Sequence, residues 1–241
     1  MNALDRRLPG RLSAVVATSA LALASTAFAG PDWDEGATDA GSTVGTAQVI
    51  STTGSVNSIT GKLGGPGLVA GDFQDCFLIQ ITDPTNFSLT TGPGFSGPPG
   101  FDPMMFLFRV DLVEGRYVAK ALIANNDLAP GNVQAGLSNS TNDGSNVTVR
   151  DAGLYLIAIS GFGSQPVNAS GQFLFNQAFL QPGIFGGPAL EQGMNDYLLA
   201  GWSSDGSYGN YVMNITGVSG VPAPGAIALL ALGGLAARRR R

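Results

Sequence analysis

The strongest constraint on the fold of this chain is a series of short apolar runs, each bounded by Gly, Pro, Asn or Asp. In the run 75–82, Phe77, Ile79 and Ile81 occupy every second position, as in a strand with one buried face. The run 153–160 is apolar on both faces, which is typical of a central strand. Such spacing predicts an all-β fold, an antiparallel β-sandwich. The predicted strands are residues 48–51, 58–63, 75–82, 86–90, 104–110, 116–124, 145–149, 153–160 and 212–218.

Long helices are not expected between the two ends of the chain. Glycine accounts for 35 of the 241 residues, and charged residues make up only 12%, a composition that favours strands and turns. Residues 189–200 are the single candidate for a short helix. Residues 161–201 are rich in Gly, Pro, Gln and Phe, which indicates an insertion with its own hairpin.

The content of His and Cys excludes several classes of site. The chain has no histidine, so imidazole-dependent triads and His-bearing zinc sites are impossible. Cys76 is the only cysteine, which excludes an intrachain disulfide and a thiolate metal cluster. Because Cys76 lies in an apolar run, we expect it in the core rather than in catalysis. With no recognisable catalytic constellation, the chain is expected not to be an enzyme.

The N-terminal segment has the pattern of a secretory signal. Basic residues precede an apolar stretch at 12–24, and Ala27 and Ala29 form the small-x-small pattern that signal peptidase accepts. We therefore expect residues 1–29 to be a signal peptide with a helical apolar segment, cleaved after Ala29. Residues 30–45 are polar and acidic, and we interpret them as a lead-in to the domain.

The C-terminal segment, residues 219–241, consists of three parts. They are Val221, Pro222, Ala223 and Pro224, then an apolar run at 226–237, then Arg238, Arg239, Arg240 and Arg241. The apolar run, expected to be helical, is short for a membrane span, which takes about 20 residues. The arginines would keep the end cytoplasmic.

This three-part order resembles the sorting signal of the PEP-CTERM family of exported bacterial proteins. The resemblance implies an exosortase-like processing enzyme, transient membrane anchoring through the tail, and delivery to the cell surface or the extracellular polymer. One departure is Ala223, which stands where the family has glutamate. An uncleaved C-terminal anchor is the alternative.

Processing at both ends would make the protein strongly acidic. Loss of residues 1–29 and 222–241 removes seven of the 12 basic residues and one of the 17 acidic residues. The mature chain would keep 5 basic and 16 acidic residues, a net charge of −11. Such a surface repels nucleic acid and anionic lipid and could attract divalent cations.

Six short motifs follow one another between residues 33 and 160. They are Trp33-Asp34-Glu35-Gly36, Ser58-Ile59-Thr60-Gly61, Asp72-Phe73-Gln74-Asp75-Cys76-Phe77, Asp102-Pro103-Met104-Met105-Phe106-Leu107-Phe108, Ala124-Asn125-Asn126-Asp127 and Ala152-Gly153-Leu154-Tyr155-Leu156-Ile157. Their order resembles that of bacterial pre-peptidase C-terminal (PPC-type) domains, with Gln74 and Cys76 as departures. The resemblance implies a jelly-roll or PPC-like sandwich over residues 46–218 that serves as a binding or accessory module.

The candidate metal ligands are Asp102, Asn125 and Asp127, which stand at the ends of predicted strands. Carboxylate and amide oxygens on loops suit calcium. The alternative is that they are turn residues that bond their own backbone, since no D-x-D-x-D-G loop is present. A second acidic group, in residues 32–39, is expected to be a solvated terminus.

These observations favour a non-enzymatic exported protein whose sandwich binds or scaffolds, with extracellular polysaccharide as a possible partner. Two alternatives remain open. One is a secreted hydrolase or its accessory protein that uses carboxylates such as Asp72 and Asp75. The other is a calcium-dependent adhesion module.

Overall fold

The computed structural model describes residues 33–65, 71–92, 101–189 and 197–222. Within these residues the chain forms strands and two short 3₁₀ helices, and no α-helix. The all-β prediction is therefore confirmed. The strands are β1 (Trp33–Asp34), β2 (Gln48–Val49), β3 (Ser58–Lys62), β4 (Gln74–Ile81), β5 (Ser88–Thr91), β6 (Pro103–Val113), β7 (Arg116–Asn125), β8 (Gly136–Leu137), β9 (Gly153–Gly161), β10 (Pro166–Val167), β11 (Gly201–Trp202), β12 (Asn210–Thr216) and β13 (Val218–Ser219), and the 3₁₀ helices are η1 (Pro84–Asn86) and η2 (Gln177–Leu180).

The first sheet has five strands in the order β1-β3-β12-β5-β8. Its central strand, β12, pairs antiparallel with β3 on one side and β5 on the other. The edge strand β1 runs parallel to β3, with Trp33 opposite Ile59 and Asp34 opposite Thr60. The lead-in thus begins as an edge strand of this sheet.

The second sheet follows the order β13-β4-β9-β6-β7, and β2 also pairs with β4. Because β9 pairs along the whole of β4, β2 and β13 share its other side. The chain reaches this sheet from β12 through Gly217, which adopts a φ of +73°. A Cβ at this position would lie 2.5 Å from the backbone oxygen of Asp83, so the crossing between the sheets requires glycine.

The two sheets enclose one core. Ile59 and Met213 of the first sheet belong to the same cluster of buried side chains as Phe77, Leu107 and Ile157 of the second. The alternation in β4, β6 and β9 sends every second side chain to this cluster. The arrangement is a two-layer, sandwich-like structure.

The outer face of the second sheet is buried as well, because the segment between β9 and β12 folds over it. The ring of Phe106 lies 5.5 Å from that of Phe175, 5.7 Å from that of Phe179 and 5.6 Å from that of Trp202, centroid to centroid. The three phenylalanines belong to a second buried cluster, and the partly buried Trp202 packs against it. Cys76 belongs to it and is fully buried, which confirms the expected core role.

The base of the predicted insertion is closed by β10 and β11, which pair antiparallel. Val167 of β10 and Gly201 of β11 are 34 positions apart in sequence, so the connection between these strands is long. The candidate helix at 189–200 lies largely outside the described residues. Its last part is irregular, with an isolated bridge between Leu198 and Lys120.

The prediction of a purely antiparallel sandwich is wrong at two pairings, since β1–β3 and β2–β4 are parallel. The reason is that the chain passes from the first sheet to the second between β1 and β2 and returns at β3, so neither early strand forms a hairpin. The predicted N-terminal signal helix and C-terminal apolar helix lie outside the described residues.

The predicted strand at 145–149 is also wrong. Asn146 has a φ of +57°, a left-handed conformation that interrupts a strand. Asp143 accepts a 3.0 Å hydrogen bond from the backbone N–H of Ser145, which makes a side-chain turn instead. Only Thr148 forms an isolated bridge, with Ser140.

Candidate functional site

Three carboxyl groups from distant parts of the chain meet beside the core. One side-chain oxygen from each of Glu35, Asp39 and Asp75 lies within 4.8 Å of the others. We call these three residues the acidic cluster. Glu35 and Asp75 are buried, whereas Asp39 is exposed.

The positions of these residues follow from strand alternation. Asp75 lies on β4 two residues before Phe77, so its side chain points between the sheets. Glu35 directly follows β1, and its backbone N–H donates a 2.9 Å hydrogen bond to the carbonyl of Thr60 on β3. The parallel pairing of β1 with β3 therefore places Glu35 over the interior.

Asp75 has no solvent exposure and only part of its bonding capacity is used. Its Oδ2 accepts a 2.6 Å hydrogen bond from the hydroxyl of Tyr211 on β12. Its Oδ1 is buried and has no hydrogen-bond partner. Buried polar atoms in folded proteins nearly always have partners, so this oxygen is a candidate ligand atom.

Glu35 fastens the lead-in to the domain through both of its carboxylate oxygens. Oε1 accepts a 3.1 Å hydrogen bond from the N–H of Ala40. Oε2 accepts one of 2.9 Å from the N–H of Lys62 on β3 and a longer one of 3.4 Å from the hydroxyl of Tyr211. Glu35 is 8% exposed, so the prediction that this acidic group is a solvated terminus is wrong for Glu35.

The electrostatics of the acidic cluster favour protonation. Burial raises the pKa of Asp75 to about 9, the charge of Glu35 adds to this increase, and the hydrogen bond from Tyr211 opposes it. Burial also raises the pKa of Glu35, although backbone hydrogen bonds from Lys62 and Ala40 lower it. Nearby Asp72 has a raised pKa for the same main reason, burial. A positive charge placed among these carboxyls would favour their anionic forms.

A shallow cavity of about 330 Å³ opens to solvent beside the cluster. Glu35, Gly61, Lys62 and Tyr211 are among its lining residues. A Cβ on Gly61 would collide with the Tyr211 hydroxyl and with Oε2 of Glu35. Glycine at this position therefore permits the close contact between Glu35 and Tyr211.

The chemistry that this arrangement allows is the binding of a hard cation. Glu35, Asp39 and Asp75 supply only carboxylate oxygens, the donors that calcium and magnesium prefer. A bound ion would contact Oδ1 of Asp75. It would take the place of the protons that the carboxyls hold because their pKa values are raised.

The structure brings the three predicted metal ligands to one end of the second sheet. Met105 of β6 pairs with Asn125 of β7, so Asp102, three residues before Met105, lies at the same end as Asp127. The carboxyls of Asp102 and Asp127 are close enough that the charge of Asp127 contributes to the raised pKa of Asp102, about 6, after burial as the main cause.

The side chain of Asn125 bonds to backbone groups, as in the alternative interpretation of a turn residue. Its Oδ1 accepts a 2.9 Å hydrogen bond from the N–H of Gly136. Its Nδ2 donates to the carbonyls of Asp127 at 3.0 Å and Ile184 at 2.9 Å. The side-chain amide of Asn125 thus stabilises the surrounding backbone. The neighbouring residue, Asn126, has a buried Oδ1 without a hydrogen-bond partner.

The predicted processing residues lie mainly outside the described residues. Ala27 and Ala29 of the signal cleavage site, and Ala223, Pro224, Arg238, Arg239, Arg240 and Arg241 of the sorting motif, are all in that part of the chain. Val221 is described, and its N–H donates a 2.7 Å hydrogen bond to the carbonyl of Ile50. Pro222 is exposed. Among the described residues, no helix has the length and apolar character needed to cross a membrane.

Sequence reasoning missed the acidic cluster as a unit. From the sequence, Asp75 is a candidate carboxylate at the start of a strand and Glu35 is a member of an acidic terminus, and no local pattern connects either residue to Tyr211. The available signal was an acidic residue at a core-facing position of an apolar strand, since a carboxyl there needs a partner.

Comparisons of the chain with protein-family models, with curated proteins and with solved structures find no match.

Proposed function

We propose that this chain is a non-enzymatic exported protein whose two-sheet domain is a calcium-dependent binding or scaffolding module. The observation that carries the proposal is the buried, unpartnered Oδ1 of Asp75 inside the acidic cluster. Bound calcium would connect Glu35 and Asp39 of the lead-in to Asp75 of the second sheet. A PPC-like or jelly-roll topology is consistent with this role and is part of the proposal.

The burial of Asp75 favours binding over hydrolysis. A catalytic carboxyl must reach a bond of the substrate, and Asp75 has no exposed surface. A cation is small enough to enter where a substrate cannot. The carboxylate-dependent hydrolase therefore has less support than the calcium-dependent module.

Calcium binding at this site should release protons, and this is the basis of the test. Because the pKa of Asp75 is about 9, its carboxyl is mostly protonated at about pH 8 and must lose its proton to bind the ion. Calcium titration calorimetry of the purified full chain, in two buffers of different ionisation enthalpy, measures that release. We expect about one proton per chain for the wild type and none for Asp75→Asn.

Asp205→Asn is the matched control, since Asp205 is exposed. It should bind calcium and release protons as the wild type does. Calcium binding without proton release in the wild type, or unchanged release in Asp75→Asn, would contradict the proposed site.

The export and sorting part of the proposal rests on the two ends of the sequence. We propose that signal peptidase and an exosortase-like enzyme process the chain, and that the tail anchors it only transiently before it reaches the cell surface or extracellular polymer. Mass spectrometry of the protein released by its own cells tests both ends. The expected chain begins at Gly30 and lacks Arg238–Arg241, whereas a released chain with those arginines would exclude processing of the tail.

A further inference from the structure

A second group of unsatisfied oxygens lies at the end of the β6–β7 pair, apart from the acidic cluster. Within the described ranges, six buried side-chain polar atoms have no hydrogen-bond partner, and three of them are Oδ1 of Asp102, Oδ1 of Asn126 and Oδ1 of Asp127. Folded proteins leave few such atoms. Three of them on one short stretch of structure therefore require a common explanation.

The three side chains are neighbours. Met105 of β6 pairs with Asn125 of β7, which brings Asp102 and Asp127 to the same end of this strand pair, and the charge of Asp127 contributes to the raised pKa of Asp102. The amide of Asn126 lies against the carboxyl of Asp127 and partly opposes the increase in the pKa of Asp127 that burial causes. Asn126 itself is 3% exposed, so its unpartnered oxygen cannot be satisfied by bulk water.

Oδ1 of Asp102 and Oδ1 of Asp127 do not accept the backbone hydrogen bond that several other aspartates of this chain accept in turns. Asp39, Asp83 and Asp143 each accept a hydrogen bond from a backbone N–H two or three residues ahead, which is the usual role of aspartate in a turn. Oδ1 of Asp102 and Oδ1 of Asp127 accept none. Their presence is therefore not explained by the local backbone.

Positive charge is also missing from this place. In the part of the chain that the structure describes, both ion pairs are made by Arg109, with Asp111 and Asp151. The pKa of Asp102 is raised by burial and by Asp127, with no cationic side chain acting against them. The two carboxyls therefore share this end of the strand pair, and no basic side chain is among the charges that act on Asp102.

The backbone beneath these residues is held in place by other segments. The N–H of Asp102 donates a 3.1 Å hydrogen bond to Oγ of Ser207, and that hydroxyl donates one of 3.0 Å to the carbonyl of Asp102. The N–H of Asn126 donates to the carbonyl of Phe179 at 3.2 Å, and the N–H of Gly183 donates to the carbonyl of Asp127 at 2.7 Å. The backbone that carries these side chains is therefore held in place, which favours preorganised ligand groups.

We propose that Asp102, Asn126 and Asp127 form a second calcium site, separate from the acidic cluster. The donors are two carboxylates and one amide oxygen, with no nitrogen or sulfur, and calcium accepts this set in irregular geometry with water completing its shell. The two clusters have different charge partners, because the pKa of Asp75 responds to Glu35, Asp72 and Asp39. A calcium ion here would join the residue before β6 to the two residues that follow β7.

The test is the number of calcium ions bound by the purified full chain, measured by titration calorimetry at about pH 8. The double variant Asp102→Asn/Asp127→Asn should bind one calcium ion fewer than the wild type. Its remaining binding event should still release protons.

The variants test the two proposed calcium sites independently of each other. In Asp75→Asn, we expect one calcium ion to bind, and addition of Asp102→Asn and Asp127→Asn should abolish this binding. If the double variant binds as many ions as the wild type, the second site is wrong, whatever happens at the acidic cluster.

A single variant keeps the test valid if the double variant fails to fold. Asn126→Asp adds a third carboxylate to the site, so it should lower the melting temperature in chelator and lower the calcium dissociation constant of this event. Unchanged calcium affinity in Asn126→Asp would overturn the proposal. Asp205→Asn is again the control and should match the wild type in both measurements.

Discussion

The hydroxyl of Tyr211 donates a 2.6 Å hydrogen bond to Oδ2 of Asp75 and so connects the central strand of the first sheet to β4 of the second. Both residues are buried. This contact is a polar link between the two sheets, and it positions the carboxyl that we propose as a calcium ligand.

Tyr211→Phe should destabilise the domain in chelator. The substitution keeps the ring but leaves Oδ2 of Asp75 without its donor, which costs about 1–3 kcal/mol for a buried group. Urea unfolding followed by circular dichroism measures the change. Tyr117→Phe, at a tyrosine that is 56% exposed, should have no measurable effect, and equal stability of the two variants would contradict the role given to the buried hydroxyl.

Stability in chelator should fall as the pH rises. The pKa of Asp75 is about 9 in the folded chain, against an ordinary value of 3.8, so the folded state retains a proton that the unfolded state loses. The stabilisation is complete below the ordinary value and is lost as pH rises through about 9. We expect the melting temperature of the wild type to decrease from about pH 6 to about pH 9.

Asp75→Asn cannot titrate at this position, so its melting temperature should decrease less over the same range. Asp205→Asn should retain the slope of the wild type. Parallel curves for the wild type and Asp75→Asn would show that Asp75 is not the group responsible.

Phe175→Ala should be strongly destabilising, by about 3–5 kcal/mol. Phe175 is 2% exposed and packs against Phe106 and Phe108 on the outer face of the second sheet. Phe173 lies two residues earlier and is 44% exposed, so Phe173→Ala should change the free energy of unfolding by less than about 0.5 kcal/mol. Chemical denaturation of both variants compares them directly, and similar small losses would mean that the covering segment contributes little.

Gly217→Ala should destabilise the domain more than Gly115→Ala. Both glycines have a similar positive φ, +73° and +79°, so each substitution carries the left-handed penalty of about 1–2 kcal/mol. A Cβ at Gly115 meets open space, whereas one at Gly217 meets the backbone of Asp83 and Phe87. The difference between the two melting temperatures measures the steric term, and equal losses would argue against a tight crossing between the sheets.

The positions of the strands were predictable because strand alternation is local. The spacing of Phe77, Ile79 and Ile81 is enough to predict a strand with one side towards the core. The predicted strand covers residues 75–82, and β4 covers residues 74–81. The doubly apolar run at 153–160 was correctly predicted as a central strand, since β9 lies between β4 and β6. The burial of Cys76 followed from the same pattern.

Contacts between distant segments were not predictable in this way. Tyr211 and Asp75 are separated by 136 positions, and Glu35 reaches them only because β1 joins the first sheet parallel to β3. Similarly, the sequence directed attention to Asn125, but hydrogen bonding to Gly136 and Ile184 leaves Asn126 with the free oxygen.

The sequence by itself determined that this chain is all-β, where most of its strands lie and that its only cysteine is in the core, because each of these depends on the period of a few neighbouring side chains. The tertiary structure alone decided which acids meet, which amide oxygen is left unpartnered and that the segment between β9 and β12 covers the second sheet. The physical reason is that these features depend on which non-local surfaces become buried together, and burial is a property of the packed chain rather than of any local pattern.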